Sequence, residues 1–216
     1  MDFTNKVAVV TGGGNGIGRA VCLGFAARGA KVVVVDRDAQ AAAGVAAEIG
    51  KQAIACTADV TKTKDVEAYV ARALDAFGRI DCFHNNAGIE GRVAPTAEYD
   101  EAMFDAVMGV NVKGVFLGLR HVLPVMIRQG AGTVVNTAST AGLIGTPGMP
   151  AYVASKHAVI GLTKVAASEV GPLGVRVNAV CPGPIATRMI ADIARQVSPN
   201  NPGGVEERYT AGLPLR

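Results

Sequence analysis

The sequence of 216 residues contains no tryptophan, and aromatic residues make up only 5% of it, so the core has to be aliphatic. Charged residues are also scarce, at 18%, whereas half of the residues are apolar, which excludes an intrinsically disordered chain. The formal net charge of +3 is spread along the chain without a basic run, which argues against a nucleic-acid partner. No apolar stretch reaches the roughly 18 residues of a membrane span, so no membrane partner is expected.

Cysteine is limited to four positions, Cys22, Cys56, Cys82 and Cys181, and no two of them form a C-x-x-C pair. No cluster of histidine or aspartate has metal-ligand spacing, so no metal site is predicted. The cysteines lie in apolar or strand-like contexts, which indicates buried free thiols in a reducing compartment. The first residues lead directly into an apolar strand without a signal peptide, and a cytoplasmic location is expected.

Short runs rich in valine and isoleucine alternate with segments of helical periodicity. The runs predicted as strands cover residues 6–11, 31–36, 52–57, 80–85, 132–138 and 174–180. The predicted helices cover 16–28, 39–49, 62–77, 99–128 and 150–170, and Pro124 is expected to kink or interrupt the fourth. Several strands are apolar on both faces, as in a parallel sheet covered by helices on both sides. The sequence therefore predicts a single α/β domain over 1–216, a Rossmann-like doubly wound parallel sheet flanked by helices.

Glycine is abundant, at 27 residues, and five of these glycines lie in the loop TGGGNGIG over residues 11–18. This loop joins the first predicted strand to the first predicted helix. Glycine permits a tight turn and a close approach of the backbone to a pyrophosphate, and a helix N-terminus offers free N–H groups to phosphates. The loop therefore predicts a dinucleotide site formed by Gly12, Asn15, Gly16, Ile17 and Gly18.

Asp36 ends the second predicted strand, eighteen residues after Gly18. A carboxylate at this point accepts hydrogen bonds from both hydroxyls of the adenosine ribose and repels a 2′-phosphate. The neighbouring Arg37 could instead pair with that phosphate, but Asn15 adds no second positive charge. NAD(H) is therefore the predicted cofactor, with NADP(H) as the less favoured alternative.

Tyr152 and Lys156 are four residues apart, so they share one face of a predicted helix. A phenol with its ordinary pKa near 10 is a poor base at neutral pH, but a neighbouring ammonium group or an oxidised nicotinamide ring favours the phenolate. The pair suits proton transfer at a substrate oxygen while a hydride moves to or from a cofactor. Ser139 follows the fifth predicted strand, thirteen residues before Tyr152, at the expected carboxyl edge of the sheet.

Seven motifs in this order resemble the short-chain dehydrogenase/reductase family over nearly the whole chain, and the chain is similar to NAD-preferring members with a Tyr-x-x-x-Lys pair. The motifs are TGGGNGIG at 11–18, Asp59-Val60, NNAG at 85–88, Asn111, Ser139, Tyr152 with Lys156, and PGPIAT at 182–187.

The resemblance implies a role for each of these positions. Tyr152 would be the general acid/base, and Lys156 would lower the pKa of Tyr152 and bind the nicotinamide ribose. Ser139 would hydrogen-bond the substrate oxygen, and Asn111 would hold a water of a proton relay. The other positions would contact the cofactor: Asp59 and Val60 at the adenine, Asn86, Ala87 and Gly88 along the ribose, and Ile185 and Thr187 at the carboxamide, preceded by Pro182 and Gly183 in the same motif.

Three loops, over 89–99, 140–150 and 188–202, are expected to frame the substrate. Because their side chains are mostly apolar, the expected substrate is a secondary alcohol or ketone on an aliphatic or alicyclic body. Glu90 and Arg92 would touch this substrate or lie at the rim of the loop. Two alternatives stay open: an NADPH-dependent reductase of carrier-bound 3-ketoacyl chains, and a non-enzymatic dinucleotide-binding scaffold.

The resemblance also concerns assembly and the C-terminus. Relatives associate through the helices that correspond to 99–128 and 150–170, so a homodimer or homotetramer is expected. They also continue with one more helix and an edge strand, so that last helix and strand are expected to be missing here, whether cropped, disordered or truly absent. The three histidines, His84, His121 and His157, are expected to have structural or solvent roles.

Overall fold

The computed structural model describes residues 2–211, apart from the side chains of Glu206 and Thr210. Its strands form one sheet in the order β3-β2-β1-β4-β5-β6, and every neighbouring pair runs parallel. The strands are β1 (Val7–Thr11), β2 (Lys31–Asp36), β3 (Ala53–Thr57), β4 (Cys82–Asn85), β5 (Gly132–Thr137) and β6 (Val175–Val180). The predicted doubly wound parallel sheet is confirmed, and each predicted strand is shortened by two residues at most.

Helices follow the strands in alternation. They are α1 (Gly16–Ala26), α2 (Ala39–Ile49), α3 (Thr63–Phe77), α4 (Glu101–Met108), α5 (Gly114–Gln129), α6 (Pro150–Val170), α7 (Arg188–Val197) and α8 (Pro202–Ala211). Two of them begin directly after an aspartate whose carboxylate accepts backbone N–H groups of the first turn. Asp38 caps α2 in this way, and Asp100 caps α4.

The core lies on both faces of the sheet because successive side chains of a strand point to opposite sides. In β2, Val33 and Val35 pack in a cluster with residues of α3, α5 and α6, whereas Val32 and Val34 pack in a second cluster with residues of α1 and α2. All four of these valines are fully buried. Burial on both sides explains why the strand is a continuous valine run rather than an alternating pattern.

The long helix predicted over 99–128 consists of three parts. A single π-helical turn, Gly109–Lys113, separates α4 from α5, so the irregularity lies there and not at the proline. Pro124 lies inside α5, which continues for five residues beyond it, so the expected interruption is wrong, whereas the alternative of a kink stays a prediction. The residues around Pro124 are buried against the core, including Val122 and Val125, and this packing outweighs the roughly 3 kcal/mol that a proline costs in a helix interior.

The continuous helical segment Glu101–Gln129 is long and apolar enough to cross a membrane by length and composition alone. A helix buried in the core of a globular protein passes the same test. Here Leu117, Val122 and Met126 of α5 belong to the larger core cluster, so this segment is a core helix that covers the sheet.

The prediction of a loop over 188–202 is wrong for its first ten residues, which form α7. Met189, Ile190, Ile193 and Val197 recur at helical spacing in this segment, and Ile193 is buried. The following helix, α8, was not predicted. Residues 212–216 lie outside the described residues, and the expected loss of the family's last helix and strand stays a prediction.

Candidate functional site

The chain leaves β1 and β4, which are neighbours in the sheet, toward opposite sides, and this divergence opens a crevice at their carboxyl ends. A cavity of about 940 Å³ lies there. All of the residues predicted to bind the cofactor or to take part in catalysis line it except Gly18, at the end of the glycine-rich loop, and Asn111, which lies behind Gly88. The folded chain thus brings together groups that are up to 175 positions apart in the sequence, from Gly12 to Thr187.

The glycine-rich loop turns back over the end of β1 and packs against the NNAG segment. Gly12 and Gly16 adopt positive φ values of 63° and 52°, which favour glycine. A Cβ atom on Gly12 would lie 3.0 Å from the Cα of Ala87, and one on Gly18 would overlap the carbonyl oxygen of Gly12. Only glycine therefore fits at Gly12 and Gly18. The loop formed by these glycines, here called the glycine cradle, places the N-terminus of α1 at the cavity, as phosphate binding requires.

The carboxylate of Asp36 is fixed at the end of β2 by the glycine-rich loop. Its Oδ2 accepts a hydrogen bond from the N–H of Gly14 at 3.0 Å, and its Oδ1 accepts one from the N–H of Asp38 at 3.0 Å. Each oxygen keeps a further lone pair for a ribose hydroxyl. Arg37 is exposed and lines the same cavity.

Asp59 follows the end of β3 and lines the same cavity. Its Oδ1 accepts hydrogen bonds from the N–H and the hydroxyl of Thr61, at 2.9 and 2.7 Å. Burial alone would raise the pKa of Asp59, but these bonds, with the charges of Lys62 and Arg37, bring the pKa below its ordinary value. An ionised carboxylate therefore stands beside Val60 at this end of the crevice.

Side chains at the ends of β1 and β5 hold the NNAG segment in place. The Thr11 hydroxyl accepts hydrogen bonds from the N–H groups of Asn86 and Ala87, at 2.9 and 3.1 Å, and the Asn86 side chain donates to the Thr11 carbonyl oxygen at 3.1 Å. The Thr137 hydroxyl donates to Asn86 Oδ1 at 3.1 Å and lies 3.0 Å from His84 Nε2. Sequence reasoning missed both threonines; their place as the last residue of a strand was the available signal.

Asn111 occupies the π-helical turn and is fully buried. Its side-chain amide accepts from the N–H of Ile89 at 2.8 Å and donates to the Ile89 carbonyl oxygen at 2.9 Å and to the Ser155 hydroxyl at 3.0 Å. Asn111 therefore attaches the segment after NNAG to α6. A Cβ atom on Gly88 would lie 3.2 Å from Asn111 Oδ1 and 3.6 Å from Lys156 Nζ, so these two polar groups meet beside Gly88.

Ser139, Tyr152 and Lys156 lie together in the cavity wall. Lys156 is 4% exposed, and its ammonium donates to the carbonyl oxygen of Thr137 at 2.8 Å and lies 5.5 Å from the centre of the Tyr152 ring. The buried Ser139 hydroxyl accepts from the N–H of Ala141 at 3.1 Å, which fixes its position at the end of β5. The three side chains predicted from the sequence therefore share one site.

Burial controls the ionisation of Tyr152 and Lys156. It raises the pKa of Tyr152 above its ordinary value, although a hydrogen bond with Ser139 acts in the opposite direction. Burial also lowers the pKa of Lys156 to about 8. In the protein without a bound cofactor, Tyr152 is thus a protonated phenol at neutral pH, which is the form that donates a proton. The pKa of Tyr152 is raised, whereas the resemblance implies that Lys156 lowers it.

The segment after β6 closes one side of the cavity, and α7 and α8 close its far end. The Thr187 hydroxyl donates to the Ile185 carbonyl oxygen at 3.1 Å, and the Thr187 methyl group faces Gly16. Beyond it the lining residues include Glu90, Met189, Ile193 and Tyr209. Of the two residues predicted to touch the substrate or to lie at the loop rim, Glu90 lies in the cavity wall, whereas Arg92 is exposed and does not line the cavity. Tyr209 and Ile193 were missed because α7 and α8 were not predicted.

The comparison with known families decides the identity. The short chain dehydrogenase family matches residues 6–198, most of the chain. The chain belongs to this family. As a short-chain dehydrogenase it is an oxidoreductase that acts on CH–OH groups with a nicotinamide dinucleotide, which argues against the non-enzymatic scaffold.

Three relatives illustrate the relationship. Levodione reductase from Leifsonia aquatica is 44% identical over 212 residues, covering 96% of this chain and 79% of the relative. A crystal structure of a levodione reductase superposes with a TM-score of 0.94 at 43% identity, covering 97% of this chain and 83% of that chain. Cyclohexanol dehydrogenase from an Acinetobacter species is 43% identical over 193 residues, covering 88% and 77%. NAD⁺-bound xylitol dehydrogenase superposes with a TM-score of 0.91 at 35% identity, covering 100% and 87%.

The tight packing of the glycine-rich loop leads to a prediction for this short-chain dehydrogenase. We expect Gly18→Ala to lower the free energy of unfolding by about 1–3 kcal/mol, because the methyl group would overlap the Gly12 carbonyl oxygen. Gly44→Ala is the control, since among the described residues no heavy atom outside its own helical turns lies within 4 Å of the new methyl group. It should raise the free energy of unfolding by about 0.5–1 kcal/mol. Urea denaturation measures both free energies of unfolding. Equal changes in the two variants would contradict the overlap that we infer at Gly18.

Proposed function

We propose that the protein transfers a hydride between NAD(H) and a secondary alcohol or ketone on an apolar, aliphatic or alicyclic body, with Tyr152 as the general acid/base. The observation that carries the proposal is the convergence of Ser139, Tyr152 and Lys156 on the cavity that the glycine-rich loop also lines. The names of the relatives agree with this substrate class, since they include a cyclohexanol dehydrogenase. An NADPH-dependent reductase of 3-ketoacyl chains would use the same catalytic residues and differs in its cofactor.

The residues present fit a nicotinamide dinucleotide. The glycine cradle and the N-terminus of α1 would hold the pyrophosphate, and Asp36 would hold the adenosine ribose. Asp59 and Val60 would lie at the adenine, and the NNAG segment would border the ribose. Ile185 and Thr187 would hold the carboxamide. When bound, the cofactor supplies or accepts the hydride, and the remaining chemistry belongs to the protein.

Tyr152 would transfer the proton. In reduction the phenol would donate its proton to the substrate oxygen, and in oxidation the phenolate would accept the proton of the alcohol. Ser139 would donate a hydrogen bond to the same oxygen and stabilise the charge that develops there. Below a pH of about 8 the ammonium of Lys156 favours the phenolate, and Asn111 would link Lys156 to a proton relay through a water.

Replacing the phenol tests this mechanism. Tyr152→Phe removes the hydroxyl that exchanges the proton, so we expect kcat for cyclohexanol oxidation to fall by about 100-fold or more. The matched control is Tyr69→Phe, because Tyr69 is buried in the core and its hydroxyl has no hydrogen-bond partner among the described residues. Steady-state rates of NAD reduction give the answer, and near wild-type turnover by Tyr152→Phe would refute the assignment.

The carboxylate of Asp36 supports NAD(H) as the preferred cofactor. Its two backbone hydrogen bonds hold it where a 2′-phosphate would have to lie, and like charges repel. We expect kcat/KM for NAD to exceed that for NADP in the wild type, and Asp36→Asn to shift the ratio toward NADP by about tenfold or more, which is about 1.4 kcal/mol. Asp75→Asn, on the exposed face of α3, is the control. A wild-type preference for NADPH would favour the 3-ketoacyl reductase instead.

We also propose a homodimer or homotetramer that forms through α4, α5 and α6. Phe116 of α5 is 44% exposed, Phe104 of α4 is 37% exposed and Val165 of α6 is 58% exposed, so these helices present apolar side chains outward. We expect Val165→Glu to lower the mass measured by light scattering, because a charge would be buried in the contact. Leu143→Glu, at an exposed position outside these helices, should not change the mass. A monomeric wild type would refute the proposal.

The location proposed for the enzyme is the cytoplasm. All four cysteines are free in the structure, with Cys22 fully buried and the other three partly buried. Free thiols persist in a reducing compartment, which supports this location.

A further inference from the structure

Glu90 places a carboxyl group in the wall of the cavity that Tyr152 and Ser139 also line. It is half-buried, and the backbone on each side of it is held in place. On one side, Asn111 binds both the N–H and the carbonyl oxygen of Ile89. On the other, the Gln196 side chain of α7 accepts from the N–H of Val93 at 2.9 Å and donates to the carbonyl oxygen of Gly91 at 3.3 Å. The position of Glu90 is therefore fixed by its neighbours and not by its own side chain.

The Glu90 carboxylate has no side-chain partner among the described residues, either as a hydrogen bond or as an ion pair within 4 Å. Burial raises the pKa of Glu90, and the charges of Arg188 and Arg37 act against that of Asp192. The negative charge of Glu90 in turn raises the pKa of Tyr152, so the carboxyl group lies within electrostatic range of the catalytic phenol.

The lining of the cavity that includes Glu90 also contains the apolar side chains of Met149, Met189, Ile190 and Ile193. A substrate that fills this space displaces water from the carboxylate. If the substrate is apolar at that point, the carboxylate loses its hydration without a replacement, which is unfavourable. A hydroxyl group on the substrate would donate the missing hydrogen bond, whereas a substrate carboxylate or phosphate would be repelled.

We propose that Glu90 selects substrates that carry a second hydroxyl group, so that diols and hydroxyketones are preferred over mono-alcohols and simple ketones. The inference rests on the proposed function, since it assigns the part of the substrate that does not react. A site built to accept a hydrogen bond from a hydroxyl group discriminates strongly against the analogue that lacks it. Glu90 is then a specificity-determining residue, and its effect falls on KM more than on kcat.

Cyclohexanol and cyclohexane-1,2-diol, compared as substrates for NAD reduction, test the inference. The wild type should have a kcat/KM for the diol at least about tenfold above that for cyclohexanol. Glu90→Leu should lower this ratio by about tenfold or more, mainly by raising KM for the diol. Glu90→Gln should lie between the two, because the amide keeps an acceptor oxygen without the charge.

Glu98→Gln is the matched control for the loss of one negative charge, because Glu98 is exposed in the same connection and does not line the cavity. It should leave the ratio unchanged. A wild type that oxidises cyclohexanol as well as the diol, or a Glu90→Leu variant that keeps the ratio, overturns the inference alone. A wild type that oxidises neither compound with NAD or NADP overturns the proposed function and the inference together.

Discussion

The hydrogen bonds between the end of β1 and the turn after β4 are the constraint on which the site depends. The Thr11 hydroxyl and the Asn86 amide close the gap between two strands whose chains leave in opposite directions. Because this contact is short, the glycine-rich loop has to pass within van der Waals distance of Ala87, and Gly12 and Gly18 leave no room for side chains. The glycine-rich loop and the NNAG segment are thus two sides of the same contact.

The second half of the site depends on burial. Lys156 is enclosed almost completely and donates to a backbone carbonyl oxygen at the end of β5. Removing the ammonium from water lowers the pKa of Lys156 to about 8 and leaves it sensitive to added charge. The same burial keeps Tyr152 protonated in the protein alone. The protonation of Tyr152 and Lys156 therefore responds to what occupies the cavity, and the charge of Glu90 raises the pKa of Tyr152.

The residues that could be predicted from the sequence are those whose neighbours along the chain carry the signal. The valine runs gave the strands of the sheet, the glycine spacing indicated the cradle, and Tyr152 with Lys156 lies at one helical turn. The π-helical turn at Asn111 could not be predicted, because it depends on Ile89 and Ser155, which are distant in sequence. Pro124 misled for a related reason, since the packing of α5 on the sheet outweighs its local cost. The helical pattern of α7 is present in the sequence, but the segment is short and turn-forming residues flank it on both sides, which favoured a loop.

The side chain of Gln196 joins two walls of the cavity that are a hundred residues apart in the chain. A pair of hydrogen bonds of about 1 kcal/mol each holds α7 to the backbone of Gly91 and Val93. Asn111 holds Ile89 on the other side of Glu90. An outward movement of α7 therefore either breaks both hydrogen bonds of Gln196 or pulls on the short segment from Ile89 to Val93. The position of Glu90 is therefore linked to the position of α7 for as long as these two hydrogen bonds hold.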